Sequence, residues 1–131
     1  MEKKMSSETN AINWFDISVN DIKRATKFYE TILEIKTNPV EMMGMKMAMF
    51  PYDPSKGKIS GALVQSQMHQ PSATGSVVYL NANPDLDKVL QRIEKAGGKI
   101  AMPKTLIDKD SGYMAFFADT EGNTVGLHSN S

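Results

Sequence analysis

The stretch Ile12-Asn13-Trp14-Phe15-Asp16-Ile17-Ser18-Val19-Asn20-Asp21 decides the fold. From Ile12 to Val19 it is short, apolar and aromatic, with Asp16 and Ser18 interleaved, as expected of a strand. Asn20-Asp21 then offers a helix cap. Ile22, Ala25, Phe28, Tyr29 and Ile32 come next at helical spacing, with Lys23, Arg24, Lys27 and Glu30 on the other face. The same opening returns later in the chain. Ser76 to Asn81 reads as a strand, and Pro84-Asp85 sits at a helix start. Leu86, Val89, Leu90 and Ile93 form an apolar stripe that Ala96-Gly97-Gly98 ends.

The segments after the two helices match as well. After Pro39 comes Met43-Gly44-Met45-Lys46-Met47-Ala48-Met49-Phe50, in which Met45, Met47 and Met49 alternate as on one strand face. Tyr52 to Gly57 is turn chemistry, and Ile59 to Gln65 resumes a strand. In the second half Lys99 to Met102 and Tyr113 to Ala118 read as strands. Asp119-Thr120-Glu121-Gly122-Asn123 is a tight turn, and Thr124 to His128 is the last strand. Asp21-Ile22-Lys23-Arg24 lies over Asp85-Leu86-Asp87-Lys88 at an offset of 64, and Lys56-Gly57 to Gly61 lies over Glu121-Gly122 to Gly126 at 65. Strand, helix and three strands thus occur twice, as an internal duplication gives. Each unit alone has too little core to fold, so the two pair their sheets and share one. The pattern predicts an α+β chain of two βαβββ modules. Module one spans about 11–66, an aperiodic linker 66–75, and module two 76–129, in a single domain 11–131 after a disordered polar tail 1–10.

Composition narrows the chemistry. The chain has 131 residues, 40% hydrophobic and 23% charged, with 15 basic and 15 acidic side chains. A balanced charge without a basic cluster predicts no nucleic-acid and no membrane partner. Cysteine is absent, which removes disulfides, thiolate nucleophiles and Cys-based zinc sites. His69 and His128 are the only histidines. No stretch approaches the roughly 20 apolar residues of a membrane span. The first ten residues lack the apolar run of a secretory signal, so the expected location is cytoplasmic.

Asn13 to Asp21, followed by Ala25 and Phe28-Tyr29, resembles the opening of the vicinal oxygen chelate superfamily, which contains glyoxalase I, bleomycin-resistance proteins and extradiol dioxygenases. Asp119-Thr120-Glu121-Gly122-Asn123 is similar to its closing turn, and Ala96-Gly97-Gly98 with Met102-Pro103-Lys104-Thr105 to a glyoxalase-like branch. The resemblance implies that the sheets curl into a mixed-sheet cup (the glyoxalase/bleomycin-resistance fold), usually in a homodimer. It also implies a divalent metal at the base of the cup, held by His and Glu from four strands. Carried over singly, those ligand positions fall on Trp14, on Gly61 (or Ala62 if the register slips by one), on Val77 and on Gly126. None has a side chain that ligates such a cation. The expectation is therefore no metal and no other cofactor, with a divalent metal as the alternative.

Strand alternation then gives the cup lining: Trp14, Tyr79, Asn81, Gln65 and Thr124, with Met47 and Met49 from the methionine run, as ligand-binding residues. Asp16 and His128 form a candidate acid–base pair, the carboxylate orienting the imidazole. Set against these, Trp14 can simply plug the vacated metal site, the methionines can be adaptable packing, and His69 in the linker is read as exposed. The leading expectation is a metal-independent small-molecule-binding protein holding an apolar or aromatic ligand. The alternatives are a glyoxalase-like lyase or isomerase using the same cup, and a structural or interaction role in which the cup is only core.

Overall fold

The computed structural model describes residues 4–131; the first three residues of the expected tail lie outside them. Module one comprises β1 (Trp14–Ser18), α1 (Ile22–Leu33), β2 (Asn38–Met42), β3 (Met45–Met49) and β4 (Ser60–Gln65). Module two comprises β5 (Tyr79–Asn81), α2 (Leu86–Ala96), β6 (Lys99–Asp108), β7 (Gly112–Ala118) and β8 (Thr124–Ser129). The sheets run β1-β4-β3-β2 and β5-β8-β7-β6, each with one parallel pair, β1 with β4 and β5 with β8. The two βαβββ units of the sequence pattern are thus present in the expected order.

The strands depart most from the sequence reading at β2, β5 and β6. β2 carries no strand signal of its own, because Pro39 interrupts it; it sits on the outermost strand, where a missing N–H costs no ladder bond. β6 continues to Asp108 rather than ending near Met102, with irregular register around Met102 and Thr105. β5 is shorter than its apolar run, starting at Tyr79. In the remainder of the expected tail, Ser6 and Thr9 close a hydrogen-bonded turn.

Both helices start where their sequence says. Asp21 accepts from the backbone N–H groups of Lys23 and Arg24, and Asp85 from that of Asp87, each satisfying N–H groups a helix start leaves unpaired. Their apolar stripes merge into one core that takes Phe28, Tyr29, Ile32 and Leu63 from module one and Leu86, Ile93, Phe117 and Leu127 from module two. Burying each of these side chains contributes roughly 1.5–3 kcal/mol. α1 packs on α2, and Arg92 on α2 donates to the Ile32 carbonyl at 2.6 Å.

The second module's closing turn bolts the halves together. Tyr29 donates its hydroxyl to Asp119 at 2.7 Å. Arg24 forks onto Glu121 at 2.7 and 3.0 Å, and the N–H groups of Asn20 and Asp21 donate to the same carboxylate at 2.8 and 2.9 Å. Asn123 donates to the Ser18 carbonyl at 2.8 Å. Burial pushes the Glu121 carboxyl up, but the donors from Arg24, Asp21, Thr120 and Asn20 outweigh it and hold the group at about 2. Burial first, and then the Asp119 charge, push the Tyr29 hydroxyl well above its ordinary range, so it stays a neutral donor. Among the described residues no buried side-chain nitrogen or oxygen lacks a partner.

Candidate ligand-binding site

Core membership tells the two faces of each sheet apart. Ile17 pairs with Leu63 and Leu80 with Leu127, and all four belong to the core beneath the helices. Their strand neighbours therefore point to the opposite, open face. In module one that face carries Trp14, Asp16, Ala62, Val64 and Met45, Met47 and Met49. In module two it carries Tyr79, Asn81, Phe116, Thr124, Gly126 and His128.

This assignment corrects one expected residue and the repeat register. Gln65 shares its parity with Leu63 and faces the helices, where its Oε1 accepts from the Ile22 N–H at 2.8 Å. It helps cap α1 rather than lining the open face. Matching core residues also make Ala62, not Gly61, the counterpart of Gly126. The offset of 65 holds at the turn glycines Gly57 and Gly122. It is absorbed before the strands, because one more residue separates Gly57 from Ser60 than Gly122 from Thr124.

The expected acid–base pair does not form. Asp16 Oδ2 lies 3.1 Å from Nε2 of His69, whose Nδ1 is 2.7 Å from the Ser66 hydroxyl. His69 is not exposed as expected; its side chain keeps 19% of its surface. His128 Nε2 instead meets the Ser111 carbonyl at 2.6 Å. Sequence reasoning misses His69 because the linker has no period, so nothing indicates that it folds back over β1. Ser66 and His69, three residues apart with Pro71 close behind, are the available signal.

The remaining expected residues divide by location. Trp14, Tyr79 and Asn81 line one groove of about 1040 Å³ between the unpaired edges of β1 and β5, together with Phe15 and Val77. Trp14 stands edge-on to Tyr52 at 5.5 Å and donates Nε1 to Asp16 at 3.2 Å. Asn81 Oδ1 accepts from the Asn83 backbone. Thr124 donates to the Ala73 carbonyl and, with Asp16, lines a smaller pocket of about 220 Å³ under the linker. Met47 and Met49 are half-buried on the open face of β3.

Tyr79 occupies the position that matters for a metal. Its ring lies so close over Gly126 that a Cβ there would meet it at 2.6 Å, and the ring continues onto Phe116 at 5.7 Å. Aromatic carbon therefore fills the space that a ligating side chain at position 126 would need. Among the described residues no group of three or more His, Cys, Asp or Glu is placed to hold a metal ion. Trp14, Ala62, Val77 and Gly126 offer no donor set, so these residues do not fit the divalent cation that the resemblance implies.

The model of the Glyoxalase/Bleomycin resistance protein/Dioxygenase superfamily matches residues 11–127. The chain belongs to this superfamily. Two curated relatives, from Mycobacterium bovis and Mycobacterium tuberculosis, bear the name "Putative glyoxylase CFP32" and are 28% identical over 97% of this chain. The chain spans about half of their length, 48%. Among solved structures, a glyoxalase/bleomycin resistance protein from Albidiferax ferrireducens superposes with a TM-score of 0.67 at 18% identity, covering 93% of this chain and 100% of its own. Hypothetical protein SA1046 of S. aureus gives 0.65 at 22% identity, over 88% of this chain and 94% of that one. At such identities the likeness concerns the fold. No helix among the described residues is long and apolar enough to cross a membrane.

Proposed function

We propose that this superfamily member binds a small, flat, largely apolar molecule in the groove between β1 and β5, without the family's divalent metal. The observation that carries the proposal is Tyr79, whose ring covers Gly126 where a ligating side chain would stand and lines the groove shared with Trp14. The groove's volume suits a ligand of drug size, and its aromatic walls with a few polar groups match how such sites are built. β1 and β5 each leave one edge unpaired, which supports the expected homodimer as well.

Trp14 is the chain's single tryptophan, so its fluorescence reports on this groove. A panel of aromatic compounds is expected to give a saturable change with at least one member. Tyr79→Ala should weaken that binding by up to about tenfold, the scale of one lost ring contact. Treatment with a chelator should leave affinity unchanged. A flat response across the panel, or one tightly held equivalent of divalent metal, would overturn the proposal.

A second reading, an acid–base lyase or isomerase, draws on the Asp16–His69 contact at 3.1 Å, where the carboxylate orients the imidazole. In that reading His69→Ala lowers turnover by roughly 100-fold and His128→Ala leaves it unchanged.

A further inference from the structure

We propose that the β2–β3 hairpin holds one soft monovalent cation, Cu(I) or Ag(I), on the thioethers of Met42, Met45 and Met47. The site is separate from the β1–β5 groove and does not depend on the function proposed for it.

Of the chain's ten methionines, five fall between residues 42 and 49. Met42 is the direct cross-strand partner of Met45, and Met47 is paired with Val40. Direct partners share a face, as do residues two apart on a strand, so Met42, Met45, Met47 and Met49 all project from the open face. The charged pair Glu41–Lys46 projects from the other. Opposed Cβ atoms lie about 5 Å apart and next-but-one residues about 7 Å apart. Unbranched side chains with three rotatable bonds can close both gaps onto one ion.

The turn supplies an independent observation. Met43 and Gly44 both have positive φ, 49° and 76°. Two-residue hairpins of this kind favour Asn-Gly, and an L side chain in that conformation is strained. Met43 gains no burial in return, being 85% exposed, and its neighbour Met42 is 47% exposed. Met45 and Met47 are half-buried, but packing does not explain the thioether of Met42. Coordination does: thioether sulfur is a soft donor that selects Cu(I) over harder divalent ions. With no cysteine in the chain, the methionines are its only soft sulfur ligands.

The test is a titration of the full chain, labelled with ¹³C at the methionine methyls, with silver nitrate in chloride-free buffer. The methyl signals of Met42, Met45 and Met47 are expected to move together and saturate at one equivalent, while those of exposed Met5 and Met68 stay in place. Zinc should move none of the three. A variant carrying Met42→Leu, Met45→Leu and Met47→Leu, with an unchanged circular dichroism spectrum, should lose saturable binding. The proposal is overturned if Ag(I) moves no hairpin signal, if Met5 and Met68 shift in parallel with the hairpin, or if the leucine variant binds as the parent does. The signals of the parent chain decide the matter even if the variant does not fold.

Discussion

The two closing turns stand at equivalent places in the duplication and do different work. In module one, Asp53 accepts from Ser55 to start a short 3-10 turn, Pro54–Lys56, that lies in solvent. In module two, Asp119, Glu121 and Asn123 are buried; across the module boundary Asp119 accepts from Tyr29, Glu121 accepts from Asn20, Asp21 and Arg24, and Asn123 donates to the Ser18 carbonyl. Duplication supplied the turn twice, but the geometry of a shared core lets only one copy reach the other module. The halves share a plan and divide the tasks.

Substitution of the two turns gives the sharpest contrast. Glu121→Ala should destabilise the chain by about 2–4 kcal/mol, because it leaves two backbone N–H groups and the Arg24 fork without their acceptor. Asp53→Ala should cost about 0.5 kcal/mol or less, in keeping with an exposed turn. Urea unfolding of both variants reads the difference, and equal losses would break the comparison. The same carboxylate sets an acid limit. Its folded value of about 2 lies below the ordinary 4.5, so its contribution is complete above pH 4.5 and fades as pH falls through 2. Arg24→Ala raises the folded value toward 4.5, so in an acid-unfolding series the loss should be smaller and complete at a higher pH.

The glycines of β4 and β8, Gly61 on the helix side and Gly126 on the open face, extend the contrast. A Cβ at Gly61 would run into the backbone carbonyl of Phe15, whereas the three atoms nearest one at Gly126 all belong to the Tyr79 ring. Gly61→Ala should therefore cost about 2–3 kcal/mol and Gly126→Ala about 1 kcal/mol. Tyr79→Ala should rescue the second, and Phe15→Ala should fail to rescue the first, since the carbonyl remains. Thermal melts of the single and double variants test this. Most symmetric is the effect at the helix caps, where Asp21→Ala and Asp85→Ala should each cost about 1 kcal/mol. A large difference between the two caps would mean that the Lys104 contact to Asp85, at 2.9 Å, contributes more than an exposed pair usually does.

Much of the architecture is legible along the chain. The caps Asp21 and Asp85, the stripes of α1 and α2, and the alternation of β3, β4, β7 and β8 are local signals, written within a few residues of one another. β2 is hidden because Pro39 speaks against a central strand, and only the strand order reveals an edge. The site is less legible. Trp14, Tyr79 and Asn81 are expected on one surface and do line one groove. Gln65 falls on the wrong face in the sequence reading because a single-residue uncertainty in register reverses which face a strand residue occupies.

The sequence by itself determined the elements apart from β2, their twofold order and the residue types at positions 14, 61 or 62, 77 and 126, none of which ligates a metal, since these depend on composition and short-range period. Only the tertiary structure decided that Asp16 meets His69 rather than His128, that Asp119 and Glu121 join the modules, and that the Tyr79 ring covers Gly126. Those contacts link residues 47 to 101 positions apart, or lie across strands whose register is set by the whole sheet. Packing of the shared core selects them, and no local pattern encodes it.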